Sequence, residues 1–172
     1  ILHHGGQPRM VFQDPASSLN PAWTVGRLLE EPLRNAGVPK QERLARAIEM
    51  LDLVGLDSAS YERRPGGLSG GQRQRVGIAA AIIGQPKLVI ADEPVSALDV
   101  TIQAQILDLF MRLRKELGLS YLFISHDMDV IWQISDTVMV MENGRIVETG
   151  PRDDVFRDPQ HPYTKKLLDA AL

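Results

Sequence analysis

The sequence predicts an α/β fold in which helices cover a sheet of parallel strands. Two short apolar runs, Leu88–Ala91 and Leu119–Ser125, have the composition of strands that are buried on both faces of such a sheet. A stretch with helical periodicity, Val100–Leu117, separates them, and alternation of strand and helix indicates a layered α/β domain. The length of 172 residues suits one domain.

The N-terminal part predicts one short strand followed by helices. Pro8–Gln13 favours a strand that ends at the turn signal Asp14-Pro15. Helices are expected over Thr24–Asn35, with Pro32 as a kink or break, and over Lys40–Val54. This all-helical stretch indicates an insert between strands.

The helix over Lys40–Val54 is predicted to bury Leu44, Ile48 and Leu51, which share one face, and to stop at Gly55. A polar loop over residues 58–67 is expected after it. A further helix is predicted to open near Ser69–Gly71 and run to Ile83, and the breakers Gly84-Gln85-Pro86 end it.

The helix Val100–Leu117 carries apolar residues at helical spacing, which should form its buried stripe. They are Ile102, Ile106, Leu109, Leu113 and Leu117.

A hairpin and two helices are predicted at the C-terminal end. Thr137–Met141 and Arg145–Glu148 flank Asn143-Gly144, and both residues of that pair tolerate a positive φ in a two-residue turn. Helices are expected over Arg152–Phe156 and Tyr163–Ala171.

Composition excludes several classes of protein. The net charge of −3 and the pI of about 5.8 argue against a general nucleic-acid binder, which carries a basic excess. The absence of cysteine excludes disulfides and thiolate chemistry from these 172 residues. No apolar run in the sequence reaches the 18 or so residues of a membrane-spanning helix.

Two adjacent carboxylates, Asp92 and Glu93, follow the predicted strand Leu88–Ala91. The carboxyl edge of an open α/β sheet is where ligands bind. One carboxylate could hold Mg²⁺ through its waters, and the other could orient and deprotonate a water. The alternative is a strand that ends in a polar turn before Pro94.

Ser69 and Gln72 have the spacing of a capping box at a glycine-rich helix start, and the bare amides there could also bind an anion. Arg73 and Arg75, which follow, are expected on a solvated face. His126 comes directly after a predicted strand, where it could contact a phosphate or a water. A lone histidine is more often structural, and Gln13 alone carries almost no information.

These motifs occur in one order, and with it the chain resembles the ABC ATPase family from about Pro8 to its end. The residues that carry the resemblance are Gln13 (Q-loop), Leu68–Gln72 (signature motif), Leu88–Glu93 (Walker B with the catalytic glutamate), Ser96–Asp99 (D-loop) and His126 (switch histidine).

A finer resemblance points to importers of the dipeptide, oligopeptide and nickel group. It rests on Val11–Pro15, on Ser18–Pro21 and on His161–Thr164. Two positions depart from the family pattern: Ala80 stands where arginine is common, and Val95 where threonine is common. Neither is a core catalytic position.

The resemblance implies a P-loop NTPase fold with a helical insert, the 172 residues forming a partial ABC ATPase domain. It implies a helical subdomain over about 21–75 with the signature motif at its end. The α/β core would comprise 8–20 and 76–150, and a C-terminal helical extension 151–172.

The phosphate-binding loop of the family has the form G-x-x-x-x-G-K-[ST], and no lysine among these residues follows a glycine. In the family this loop precedes the Q-loop, so the resemblance implies that the N-terminal part of the core is missing from this sequence. We expect a polypeptide of these residues alone not to hydrolyse ATP at a useful rate. We also expect it to expose apolar strand surface.

The resemblance implies ATP and Mg²⁺ as cofactors, sandwiched between two cassettes. Asp92 and Gln13 would contact Mg²⁺, Glu93 would polarise the water, and His126 would support the transition state. Gln13 would also sense the γ-phosphate. The remaining nucleotide-binding residues implied are those that face or couple to the partner's ATP: Ser69, Gly70, Gly71, Gln72 and Asp99.

Implied partners are a second ABC ATPase subunit, identical or related, and transmembrane permease subunits, with a solute-binding protein acting indirectly and no nucleic acid. The implied place is the cytoplasmic face of the plasma (inner) membrane, as a peripheral subunit. Two alternatives stay open. One is a soluble ABC ATPase of DNA repair or translation, and the other a non-catalytic truncated cassette that acts as a binding module.

Overall fold

The computed structural model describes residues 8–13 and 19–171. Within them the chain divides into two compact units, the first ending at Ile124 and the second beginning at Ser125. The predicted turn at Asp14-Pro15 and the motif residue Ser18 lie outside the described residues.

The first unit contains a parallel three-stranded sheet, which confirms the α/β prediction. Its strands are β1 (Arg9–Val11), β2 (Leu88–Asp92) and β3 (Ser120–Ile124), in the order β1-β2-β3. Val11 is paired with Ala91, and Ala91 in turn with Phe123. Because all three strands are parallel, their carboxyl ends lie along one edge of the sheet.

The prediction that both later strands are buried on two faces is wrong. In β2 only alternate residues, Val89 and Ala91, are fully buried. In β3 the exposed fractions of Leu122 and Ile124 are 38% and 44%. The exposed residues of β3 share one face of the sheet with Ser120, and the described residues leave that face partly uncovered.

Helix α1 (Val25–Asn35) begins at Thr24, whose hydroxyl accepts a hydrogen bond from the Arg27 amide. The helix continues through Pro32 without ending there, so a break at this residue is not found. A proline at this place removes one backbone donor of the helix. Packing of the buried residues Leu29 and Leu33 holds the helix in place.

Helix α2 (Lys40–Leu53) confirms the predicted element but not its whole buried face. Leu51 is buried, whereas Leu44 is 49% exposed and Ala47 is buried instead. Helical spacing shows which residues share a face of the helix, but it does not show which face turns toward the core. In α2 the buried face is the neighbouring one, which includes Ala47. The predicted stop at Gly55 is confirmed, since this glycine has a φ of +74°.

The predicted polar loop is instead two short 3₁₀ helices, Ser58–Glu62 and Pro65–Gly67. The ring of Tyr61 packs on the backbone of Gly26, where an added Cβ would lie 2.3 Å from a ring carbon. The Tyr61 hydroxyl donates to the Glu30 carboxylate. Burial and the Glu30 carboxylate raise the pKa of Tyr61 to about 12. These contacts fasten the loop to α1.

Helices α3 (Gly70–Ile82) and α4 (Val100–Leu117) complete the first unit. On α4 the predicted residue Leu117 is 43% exposed, and Ile102 is half-buried. Phe110, which the stripe missed, is fully buried and meets the rings of Tyr121 and Phe123 edge-on at 5.2 Å and 5.6 Å.

The second unit contains helices α5 (Met128–Ile134), α6 (Arg152–Arg157) and α7 (Pro162–Ala171) and the antiparallel hairpin of β4 (Thr137–Glu142) and β5 (Arg145–Pro151). The hairpin turn is confirmed: Asn143 and Gly144 have φ values of +50° and +76°. Helix α5 was not predicted. Among the described residues, no helix has both the length and the apolar character needed to cross a bilayer.

Candidate functional site

The carboxyl end of β2 presents the two predicted carboxylates. Asp92 is the last residue of the strand, and Glu93 follows it with a φ of +45°. The Glu93 amide donates to the Ile124 carbonyl at 2.9 Å, and its own carbonyl accepts from the Ser96 hydroxyl at 3.1 Å. A non-glycine residue in this region is strained, and such strain is concentrated at functional sites.

The donor set at this edge fits Mg²⁺ held together with a nucleotide. Among the described residues there is no cluster of three or more metal-binding side chains. Mg²⁺ in nucleotide sites uses one or two carboxylates, with phosphates and waters as its other ligands. Asp92 can therefore supply the protein's share.

The N-terminus of α3 has the predicted capping box. The Ser69 hydroxyl accepts from the Gln72 amide at 3.2 Å, and the Gln72 side chain accepts from the Ser69 amide at 3.0 Å. The amides of Gly70 and Gly71, at the first two helical positions, have no acceptor within the helix. Together with the helix dipole, they form an anion-binding end.

The structure brings this end of α3 against the segment that resembles the D-loop. A Cβ added at Gly71 would lie 2.7 Å from a methyl group of Ile102, whereas one at Gly70 would lie 3.7 Å from Leu98. Asp99 caps α4, because its carboxylate accepts from the Ile102 amide at 3.0 Å. Gly71 thus allows the close approach of the first turns of α3 and α4.

Arg73 and Arg75 do not form the solvated face that was predicted. The Arg73 guanidinium donates to the Leu68 carbonyl at 3.0 Å, and that of Arg75 donates to the Val54 carbonyl at 2.6 Å. Burial, and then the charge of Arg112, lower the pKa of Arg75. Sequence spacing alone could not reveal these contacts because both acceptors are backbone carbonyls.

Gln13 lies two residues beyond β1, at the same sheet edge as Asp92, and is exposed. A groove of about 320 Å³ lies beside β1, and Phe12, Leu19 and Gln74 help to line it. The sequence did not single out Gln74, although it is 1% exposed and its side-chain amide has no partner among the described residues. The feature of the sequence that could have indicated Gln74 is its place, as a polar residue, on the apolar face of α3.

His126 belongs to the second unit, whereas the other predicted site residues belong to the first. It is exposed and directly precedes Asp127, the N-cap of α5. The Asp127 carboxylate accepts from the amides of Asp129 at 2.9 Å and Val130 at 3.2 Å. The backbone next to His126 is therefore fixed by the start of α5.

The segment His161–Thr164 is anchored on Glu148 of β5. The two carboxylate oxygens of Glu148 accept from the Gln160 amide at 2.8 Å and the His161 amide at 3.0 Å. Burial alone would raise the pKa of Glu148, but these amides, together with the Thr164 side chain and the charge of His161, lower the pKa from the ordinary value of 4.5. This contact gives the segment a structural role within the second unit.

Two family profiles match the chain. The profile described as ABC transporter matches residues 2–96, and that of the oligopeptide/dipeptide transporter C-terminal region matches residues 147–172. The first covers more than half of the chain, and the second includes Glu148 and His161–Thr164.

Individual relatives agree with these profiles. The chain is 53% identical to the dipeptide transport ATP-binding protein DppF of Escherichia coli (strain K12), over 94% of this chain and 49% of that protein. It is 48% identical to the oligopeptide transport ATP-binding protein OppF of Lactococcus lactis subsp. lactis (strain IL1403), over 98% of this chain and 53% of that protein. The chain thus spans about half the length of the curated relatives it matches.

A solved structure has the same fold. It is cbiO1 from Clostridium perfringens, described as part of the ABC transporter complex cbiONQ, with a TM-score of 0.79 and 32% sequence identity. The superposition covers 88% of this chain and 59% of that one.

Proposed function

Because this chain belongs to the ABC transporter family, we propose that it is part of an ATP-binding subunit that energises the import of dipeptides or oligopeptides. The observation that carries the proposal is the capped N-terminus of α3, where Gly70 and Gly71, whose amides have no acceptor within the helix, lie against the start of α4. The peptide class is supported by the C-terminal profile and by the names of the relatives.

The first role is to contact the terminal phosphate of an ATP held by a second cassette. The amides of Gly70 and Gly71 donate toward the anion, and the helix dipole favours its charge. The Ser69 hydroxyl already accepts from the Gln72 amide, so its hydrogen is left to donate to a phosphate oxygen. Gln72 keeps this cap closed, and Asp99 fixes the adjacent start of α4.

The second role is to prepare the attacking water. Glu93 acts as the general base, held by the backbone contacts at the end of β2. Asp92 and Gln13 hold Mg²⁺, which when bound neutralises charge on the phosphates. His126 stabilises the charge that develops on the transferred phosphoryl group.

The test uses the full-length protein that carries this sequence. We expect Mg²⁺-dependent ATP hydrolysis that falls by about 10²- to 10⁴-fold in Glu93→Gln, the range for loss of a general base. Glu116→Gln, an exposed glutamate on α4, serves as the matched control and should keep full activity. Equal activity of Glu93→Gln and the control would contradict the assignment of the base.

The partners proposed are a second ABC ATPase subunit and transmembrane permease subunits, with a solute-binding protein acting through them. The proposed place is the cytoplasmic face of the plasma membrane, and residues of about 21–75 are proposed as the helical subdomain. We expect the full-length protein to co-purify with permease subunits and its deletion to abolish peptide uptake. Co-purification with nucleic acid would instead favour a soluble ABC ATPase.

A further inference from the structure

Among the residues that the structure describes, none donates a backbone hydrogen bond to the last two carbonyls at the C-terminal end of α2, those of Leu53 and Val54. The turn through Gly55 satisfies the three carbonyls before them with amide donors. These bonds are Val54 to Met50 at 3.1 Å, Gly55 to Asp52 at 2.9 Å and Leu56 to Leu51 at 2.8 Å. The next two carbonyls, those of Leu53 and Val54, accept no hydrogen bond from an amide of this turn.

Two arginines from two other helices take these two carbonyls. The Arg112 guanidinium, on α4, donates to the Leu53 carbonyl at 2.6 Å. The Arg75 guanidinium, on α3, donates to the Val54 carbonyl, also at 2.6 Å. The last turn of α2 contains no basic residue of its own, so both cations that face its negative dipole end come from elsewhere.

The arrangement fixes α3 and α4 to one shared point. The first turns of the two helices already touch through Gly71 and Ile102. Arg75 lies on the second turn of α3 and Arg112 on the fourth turn of α4, so the end of α2 adds a second contact for each helix. With two contacts, the direction of α3 relative to α4 is set, and with it the direction in which the Gly70 and Gly71 amides face.

We propose that Arg75 and Arg112 are positioning residues for ATP hydrolysis, acting through the end of α2 on the phosphate-contacting N-terminus of α3. The inference rests on the function proposed above. Neither arginine is assigned a contact with nucleotide. The two guanidinium groups repel each other, which partly offsets what each gains at the end of α2.

The test compares variants of the full-length protein in its assembled complex. Arg75→Met and Arg112→Met keep the length of the stem and remove the donors, and the double variant removes both. The matched control is Arg46→Met on α2, which loses only an exposed ion pair with Glu42. We expect kcat to fall by about threefold to tenfold in the double variant, because misplaced contacts weaken the transition state.

The KM for ATP should stay close to that of the control, because most ground-state contacts with the nucleotide would belong to the other cassette. Arg112→Lys, which retains a charged hydrogen-bond donor group, should recover part of the kcat that Arg112→Met loses. Arg112 is exposed, so its single variants should fold, and thermal unfolding of each variant checks this. A loss of stability with unchanged kcat per folded molecule would overturn the inference and leave only a structural role.

Failure of the inference differs from failure of the proposed function. If the unmodified protein hydrolyses ATP and Glu93→Gln does not, the proposed function stands. A kcat of the double variant equal to that of Arg46→Met then overturns the positioning role alone. If the unmodified complex shows no Mg²⁺-dependent hydrolysis, the proposed function fails and the inference falls with it.

Discussion

Glu93 combines a carboxylate at the sheet edge with a left-handed backbone, and the two features can be separated by substitution. Glycine adopts a φ of +45° without strain, whereas alanine keeps the strain and removes the carboxylate. We expect Glu93→Gly to be more stable than Glu93→Ala by about 1 kcal/mol, while neither supports ATP hydrolysis. Urea unfolding of the two variants measures the difference.

A Glu93→Ala variant that is more stable than Glu93→Gly would show that the backbone at residue 93 is not strained, because glycine then brings only its larger entropy loss on folding. The comparison avoids the unmodified protein as reference, because its carboxylate also contributes electrostatic terms. Both variants lack that carboxylate, so they differ in the φ preference of the replacement residue and in the freedom of the unfolded chain.

Glu148 is predicted to make the stability of the second unit depend on pH. Its pKa is lowered on folding, so its contribution is fully present above the ordinary value of 4.5 and is lost as the pH falls through the folded pKa. We expect Glu148→Gln to lower the thermal midpoint at pH 7, and the gap from the unmodified protein to narrow below about pH 4.5. Glu142→Gln, on the same hairpin, is the control. A gap that is constant with pH would contradict this role.

At the scale of elements, the contact between α3 and α4 depends on a single missing methyl group. Gly71→Ala places a Cβ 2.7 Å from Ile102, and we expect it to destabilise the protein by about 1 to 3 kcal/mol through overpacking. Gly70→Ala is the matched control, since its nearest neighbour would be 3.7 Å away. Chemical unfolding should therefore rank Gly70→Ala above Gly71→Ala.

The two alanine variants share the same gain in helix propensity, so a difference between them reports the contact with Ile102. If they are equally stable, α3 and α4 can separate at their N-termini without cost. The tight approach would then not hold the phosphate-contacting end in place.

Elements whose ends depend on local chemistry were predictable from the sequence. The capping box at Ser69, the stop at Gly55 and the turn at Asn143 each depend on residues within a few positions. Helix α5 was missed because it is short: seven residues give only two turns of apolar periodicity.

Features that depend on distant residues were not predictable. Arg75 and Arg112 find carbonyls 21 and 59 positions away, which no local pattern indicates. The exposure of Leu44 and Ile124 depends on which neighbours cover each element. The roles of the site residues, including His126 in its separate unit, stay predictions.

At the scale of the whole molecule, the edge strand β3 is predicted to cause self-association. Among the described residues it pairs on one side only, and Leu122 and Ile124 expose one apolar face. We expect a polypeptide of these 172 residues to self-associate with increasing concentration, because such edges accept further strands. Leu122→Lys should reduce this, as measured by sedimentation velocity.

Leu44→Lys is the matched control, since Leu44 is similarly exposed but lies on a helix. Equal self-association of both variants would exclude β3 as the contact. That the same polypeptide does not hydrolyse ATP also stays a prediction, and the association experiment can be done without any nucleotide.

The capping box at Ser69 has a consequence for what evolution can tolerate at this position. A helix start that only needed closing would accept aspartate, asparagine or threonine almost as well as serine, so mutation could move among the four at little cost. Aspartate, however, brings a negative charge and no hydrogen to donate. Ser69→Asp should therefore have little effect on folding, whereas it should prevent contact with a phosphate. If living cells tolerate Ser69→Asp, the serine is kept only because it starts the helix; if they do not, it is kept because it contacts phosphate.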